Sequence, residues 1–145
     1  MSDMYGKGDK GKATKLHSKL IRSLGECESC YYTCPCYDKF QHTAGCKLQA
    51  AHIEGRKSSG TRTLLNNAFS LCASCHGVYT DKPLTFTRFV TGTWAQEHRD
   101  ILMQLSNTNT KKDWTAELER LKEVEKRMRN GSSLQSEREL EVQEL

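Results

Sequence analysis

No apolar run in this chain approaches the roughly 20 residues that cross a bilayer. The Gly- and Lys-rich start, residues 1–15, lacks the hydrophobic core of a secretory signal. There is no internal repeat, no glycine-rich nucleotide loop and no Gly-x-Ser-x-Gly. These absences argue against a solenoid, a phosphate cradle of the nucleotide-binding kind and a serine-hydrolase elbow. Apolar residues are also scarce, 36% beside 28% charged, so the core is expected to be small. At 145 residues the chain has room for one domain with helical extensions. The expectation is a cytoplasmic protein, where thiols stay reduced.

What the chain does have is seven cysteines. A small core needs a staple, and in a reducing setting paired cysteines more often bind metal than form disulfides. Cys27-x-x-Cys30 and Cys72-x-x-Cys75 have the spacing that brings two thiolates onto one tetrahedral ion at ~2.3 Å. Residues 31–71 separate the pairs, a longer insertion than a simple zinc ribbon carries. Cys34, Cys36, His42 and Cys46 follow the first pair without a helix or strand period; substitute ligands, a second site and plain reduced thiols are all open. Cys72-Ala-Ser-Cys75-His76 also fits a haem-attachment pattern, but that reading leaves the other pair unexplained. A redox dithiol would need a βαβ context that is missing here.

Charge is uneven. Net charge is +4; residues 1–82 carry 12 Lys and Arg against 7 Asp and Glu, and residues 83–145 carry 10 against 11. A basic front half holding the Cys and His motifs is compatible with a phosphate-backbone partner. Residues 1–12 read as a flexible basic arm. Leu16, Leu20, Ile21 and Leu24 recur at helical spacing over 13–24, with Gly25 as a stop. Lys47–Ile53 reads as a strand with Leu48, Ala50 and His52 on one face. The loop 54–64 carries Arg56, Lys57 and Arg62 among hydroxyls, groups that suit phosphate oxygens. Asn66–Leu71 returns as a second strand, and the second knuckle opens a helix that Thr80–Pro83 breaks. Residues 84–106 predict a helical pair interrupted at Thr91-Gly92-Thr93. From Trp114, the residues Leu118, Leu121, Val124 and Met128 form one helical face, free to pack on the domain, to pair with a second copy or to remain partly exposed. Asn130-Gly131 ends that helix, and Ser132–Gln135 has the form of a capping box for a last weak one.

The order Cys27/Cys30, Ala51-His52-Ile53, Asn67, then Leu71-Cys72-Ala-Ser-Cys75-His76 resembles the HNH endonuclease family, the zinc-containing branch of the ββα-metal nucleases. The run through Thr80 and Pro83 to Phe86 is similar to small HNH proteins common in phage and bacterial genomes. The likeness spans roughly residues 13–90. It implies an α+β fold, a ββα core with a structural zinc knuckle pair over 13–90; the residue pattern adds an N-terminal helix, a helical extension over 91–130 and a weakly ordered tail over 131–145. It further implies hydrolysis of DNA phosphodiester bonds to 5′-phosphate and 3′-hydroxyl ends.

In that reading His52 is the general base, and Asn67 orients the loop carrying it. His76 holds one catalytic divalent cation (Mg²⁺, Mn²⁺, Ni²⁺ or Zn²⁺) that stabilises the developing charge. Cys27, Cys30, Cys72 and Cys75 close a structural zinc site, and Arg56, Lys57 and Arg62 contact substrate. The partner is DNA, in the host cytoplasm if the chain is phage-encoded. One departure stands out: many family members place Asp or His before the base as a second cation ligand, and this chain has Ala51. The rival reading is a zinc-stabilised DNA-binding module without catalysis.

Overall fold

The computed structural model describes residues 7–29, 47–55, 57–107 and 111–145. Within them the architecture is α+β. Six helices, α1 (Gly8–Arg22), α2 (Ala73–Asp81), α3 (Pro83–Thr93), α4 (Gln96–Ser106), α5 (Trp114–Arg129) and α6 (Leu134–Glu144), surround two strands, β1 (Leu48–His52) and β2 (Ala68–Cys72). The strands are antiparallel, from Leu48 opposite Cys72 to His52 opposite Ala68. The Ile53 N–H to the Asn67 carbonyl (2.8 Å) and the Ala73 N–H to the Lys47 carbonyl (2.9 Å) extend the ladder at each end.

A two-stranded ladder is marginal in water, so both faces must be covered. Side chains alternate along a strand. One face, with Ala50 and Ala68, meets Ala13, Leu20 and Ile21 of α1 and Leu118, Leu121 and Val124 of α5. The other, with Ala51, Phe69 and Leu71, meets Val90 and the aromatic rings of Tyr79, Phe86, Phe89 and Trp94. The apolar stripe of α5, for which pairing with a second copy was one expectation, packs within the chain on α1.

The helix boundaries depart from the sequence expectation where tertiary contacts intervene. Residues 8–12, expected in a flexible arm, are the first turns of α1. The start of α5 covers them: Thr115 donates to Asp9 Oδ2 at 2.7 Å, and Lys10 lies 5.8 Å over the Trp114 ring. The α3–α4 break falls at Trp94 and not at 91–93. Thr91 and Thr93 bond back to the Arg88 and Phe89 carbonyls and stay helical. Pro83 opens α3 at its first turn, as its fixed φ allows.

The largest correction concerns the tail. Residues 134–144, expected to be weakly ordered, form a docked helix. Its cap is Ser133, which accepts the Ser136 N–H at 3.1 Å. Ser132, the expected capping residue, donates to Glu137 at 2.6 Å. Docking rests on ionic groups that an apolar periodicity does not reveal. Arg138 is 2% exposed and sits 5.9 Å and 5.7 Å over the Phe69 and Trp94 rings. It donates to both Glu28 oxygens at 2.9 Å, and to the Leu65 and Ala68 carbonyls at 3.2 and 2.8 Å. Glu28 in turn accepts the Ser70 N–H at 2.9 Å. The last helix is therefore tied through one guanidinium to β2 and to the segment after Cys27.

Arg138→Met would leave the Glu28 carboxylate facing an apolar side chain. The expected loss is about 3 kcal/mol in urea unfolding. Removing the exposed Lys122–Glu119 pair by Lys122→Ala is expected to shift the same curve by under ~0.5 kcal/mol.

Candidate metal centre and histidine site

At its end β2 delivers Cys72 to the N-terminus of α2. Cys72 is the cap of that helix, and its sulfur accepts the Cys75 N–H at 3.4 Å. Cys27 reaches the same place because the Glu28 N–H donates to the Ser70 carbonyl at 2.8 Å. The three sulfurs lie within 4.8 Å of one another, and all three residues are buried. Thiolates around one tetrahedral zinc stand ~3.8 Å apart, given ~2.3 Å Zn–S bonds. A contraction of under about 1 Å would therefore close the set, and the cluster could hold a metal ion such as zinc. Cys30, expected as its fourth thiol, lies outside the described residues, as do Cys34, Cys36, His42 and Cys46.

His52 closes β1, and its half-buried ring is on the face toward α1. Its Nε2 is 3.2 Å from the Arg62 carbonyl. A carbonyl only accepts, so Nε2 carries the proton and Nδ1 the lone pair. The loop supplying that carbonyl is fastened by Asn67, which is fully buried. Asn67 Oδ1 accepts the Glu54 N–H at 2.8 Å, and its amide donates to the Glu54 and Thr61 carbonyls at 3.1 and 3.0 Å. The neighbouring Asn66 faces the other way. Its amide donates to the Arg138 carbonyl (2.8 Å) and to Glu141 (3.0 Å). One of the two asparagines fixes the histidine loop, the other fixes α6.

The loop is also held from outside. Ser58 donates to the Ser106 carbonyl at 3.0 Å, and Ser106 donates to Glu54 at 3.2 Å. A Cβ on Gly60 would collide with the Leu105 carbonyl, so only glycine lets α4 close on this turn. Arg62 corrects the expectation of a substrate contact. Its side chain turns inward, 7% exposed, and its Nε donates to Thr14 at 2.9 Å. Thr14 lies on the buried face of α1, and the loop closes over it. Lys57 is exposed, and Arg56 lies outside the described residues.

His76 follows Cys75 on α2 and is half-buried. Its Nδ1 is 2.5 Å from Gln49 Oε1, on the opposite face of β1 from His52. Donation to that amide oxygen puts the proton on Nδ1 and the lone pair on Nε2. Ala51, also on this face, is 2% exposed and has no donor atom. Among the described residues the thiol trio is the one group of three or more metal-binding side chains.

The sequence reading missed His17. It lies four residues after Ala13 and three before Leu20, on the buried face of α1, so the helical period itself marks it as interior. It is fully buried, its Nε2 is 2.8 Å from the Leu64 carbonyl, and its Nδ1 has no partner. Burial first, then the neighbouring His52, push its pKa down to about 3, against the pull of the Leu64 bond. Nearby Glu117 is held below the usual carboxylate range. Burial alone would raise it, but hydrogen bonds and charge from Arg120, with Lys112 and Thr63, reverse that.

No family model, curated protein or solved structure matches the chain. Among the described residues no helix is long and apolar enough to cross a membrane. The site must be read from its own chemistry.

Two outcomes follow from this geometry. Purified protein should carry zinc in proportion to chain, released by a thiol-reactive reagent, and Cys72→Ser should lower the bound metal to a small fraction of wild type. His17 is neutral when folded and titrates near 6.5 when unfolded, so the unfolded chain binds the extra proton between those values. Its contribution is complete above pH 6.5 and is lost toward pH 3. Urea unfolding across pH 6 to 4 should show wild type losing about 1.4 kcal/mol per pH unit more than His17→Gln.

Proposed function

We propose that the chain is a metal-dependent endonuclease of the HNH type that hydrolyses DNA phosphodiester bonds. The observation that carries this reading is the presentation of His52: its Nε2–H rests on the Arg62 carbonyl, and Asn67 clamps the loop supplying that carbonyl from both ends. A phosphodiester resists water because the nucleophile is weak, the phosphate is anionic and the alkoxide leaves poorly. His52, with its lone pair on Nδ1, takes a proton from the attacking water. Donation from Nε2 to Arg62 stabilises the imidazolium that results. A divalent cation held through His76, as Mg²⁺, Mn²⁺, Ni²⁺ or Zn²⁺, would offset the charge developing on the phosphate and the departing 3′-oxygen. The ends left are 5′-phosphate and 3′-hydroxyl.

The thiols have a different task. Cys27, Cys72 and Cys75, with Cys30 as the fourth ligand, would enclose a structural zinc with no position open to substrate. Lys57 and Arg56 are the groups of the loop left for the DNA backbone, since Arg62 is internal. Ala51 supports a second reading: with no donor at that position, the fold could serve as a zinc-stabilised DNA-binding module without catalysis.

Supercoiled plasmid incubated with Mg²⁺, Mn²⁺ or Ni²⁺ separates the two readings. The nuclease is expected to nick it, His52→Ala to lose at least ~100-fold in rate, and His76→Ala to shift the cation requirement upward. Intact plasmid with every ion, alongside salt-dependent retention of DNA in a mobility shift, would leave the binding module standing.

A further inference from the structure

We propose that His17 of α1 is a positioning residue for His52, setting the plane of its ring by direct imidazole packing. The inference rests on the nuclease reading for its consequence in catalysis, but not for its geometry. The two rings lie 5.2 Å apart between centroids at 44°, within the range where ring pairs pack. Both point their Nε2 at carbonyls of one short segment, Arg62 for His52 and Leu64 for His17. Residues 62 and 64 thus carry two imidazoles side by side, one half-buried and one fully buried.

The inner ring is the more deeply buried of the two. Ala13, Leu20 and Ile21 fix α1 against the sheet, and Thr14 beside His17 receives Arg62 Nε, fastening the loop to the same helix turn. His52 sits at the last residue of β1, where the ladder ends, and its carbonyl bond is 3.2 Å long. Rotation of this ring about χ1 or χ2 would break the Arg62 bond that keeps the proton on Nε2 and would misdirect the Nδ1 lone pair. A ring packed against it removes that freedom.

A histidine differs from a phenylalanine here in its bond to Leu64, while burial keeps it silent in the reaction. Its Nε2–H gives the Leu64 carbonyl, which also accepts the Asn67 N–H at 3.0 Å, a second donor and fixes the edge of the inner ring. Its pKa of about 3 keeps it neutral at working pH, so it neither competes for the proton nor adds a charge beside His52. The charged groups that face it are Arg120 and Glu117 of α5, which bond each other. They offset one another's effect on the pair.

The test uses the full chain with two crossed variants. His17→Phe keeps a ring against His52 but loses the Leu64 bond; His17→Gln keeps a donor for Leu64 but loses the ring. Long-range ¹⁵N–¹H correlation spectra report the His52 tautomer whether or not DNA is cleaved, and plasmid nicking gives kcat and KM. The expected result is one Nε2–H tautomer for His52 in wild type and His17→Phe, with kcat within about threefold. His17→Gln should show mixed tautomers, a kcat lowered about tenfold or more, and an unchanged KM. If His17→Gln preserves the tautomer and kcat while His17→Phe loses them, the Leu64 bond is what matters and the proposal fails. It fails equally if neither variant changes His52. A wild type that never nicks DNA sinks the nuclease reading alone, because the tautomer spectra still decide whether His17 positions His52.

Discussion

Five paired residues on each of two strands bury too little to fold alone, and that shortage governs the arrangement of the chain. Each face of the β1–β2 ladder needs its own cover, and the two covers differ in chemistry. Toward α1 and α5 it is an aliphatic layer with a polar seam of Thr14, His17 and Ser18. Toward α2 and α3 it is sulfur and aromatic rings. Adjacent residues of β1 therefore have different neighbours: Ala51 lies among rings and thiols, His52 beside an imidazole. A two-stranded unit with a thiol cluster on one face and a histidine on the other is covered piecemeal, α1 and α5 on one side, α2 and α3 on the other, with α6 reaching both through Leu134 and Arg138.

The polar groups inside this small core are organised as one connected set. Arg138 joins α6 to Glu28, next to Cys27; Asn66 joins α6 to the turn before β2; Asn67 joins that turn to the loop of Arg62, whose carbonyl holds His52. Glu141 adds the Leu65 and Asn66 N–H groups and Arg120 of α5. Arg138, Asn66, Asn67 and Glu141 are buried, so each is costly to leave unpaired. The consequence is that the C-terminal helix shares partners with both the thiol segment and the histidine loop.

Much of this was legible in the sequence, and the remainder was hidden for identifiable reasons. Short-range signals served well: the β1 alternation, Pro83 opening a helix, Gly131 at φ +110° closing α5, and the Cys-x-x-Cys spacing that places Cys72 and Cys75 beside Cys27. Asn67 could be told from Asn66 only through partners 13 and 72 residues away along the chain. Arg62 was misread because an arginine in a polar loop carries no local mark of burial. The tail was misread because α6 docks through Glu137, Arg138 and Glu141, residues that an apolar pattern scores as solvent-facing. His17 was marked by helical period, but a polar residue on a buried face is easily passed over in counting leucines.

Ala51 is where packing and chemistry meet most directly. It stands opposite Phe69 in the ladder, and Phe69 is fully buried against Phe89 and Trp94 at 4.7 and 5.3 Å between ring centroids. A methyl group leaves room for that ring; a carboxylate there would be buried in an apolar cluster at several kcal/mol unless a cation or a donor met it. The large ring on β2 and the small residue on β1 are thus a single packing solution. With position 51 committed to the core, a cation held through His76 in the proposed nuclease, its ring oriented by Gln49, would have one protein ligand fewer and more of its sphere open to water and to the phosphate. By linkage, its affinity would then rise when DNA is present and that of DNA when the ion is. In the proposed nuclease, the alanine at this position moves part of the task of binding metal from the protein to the substrate.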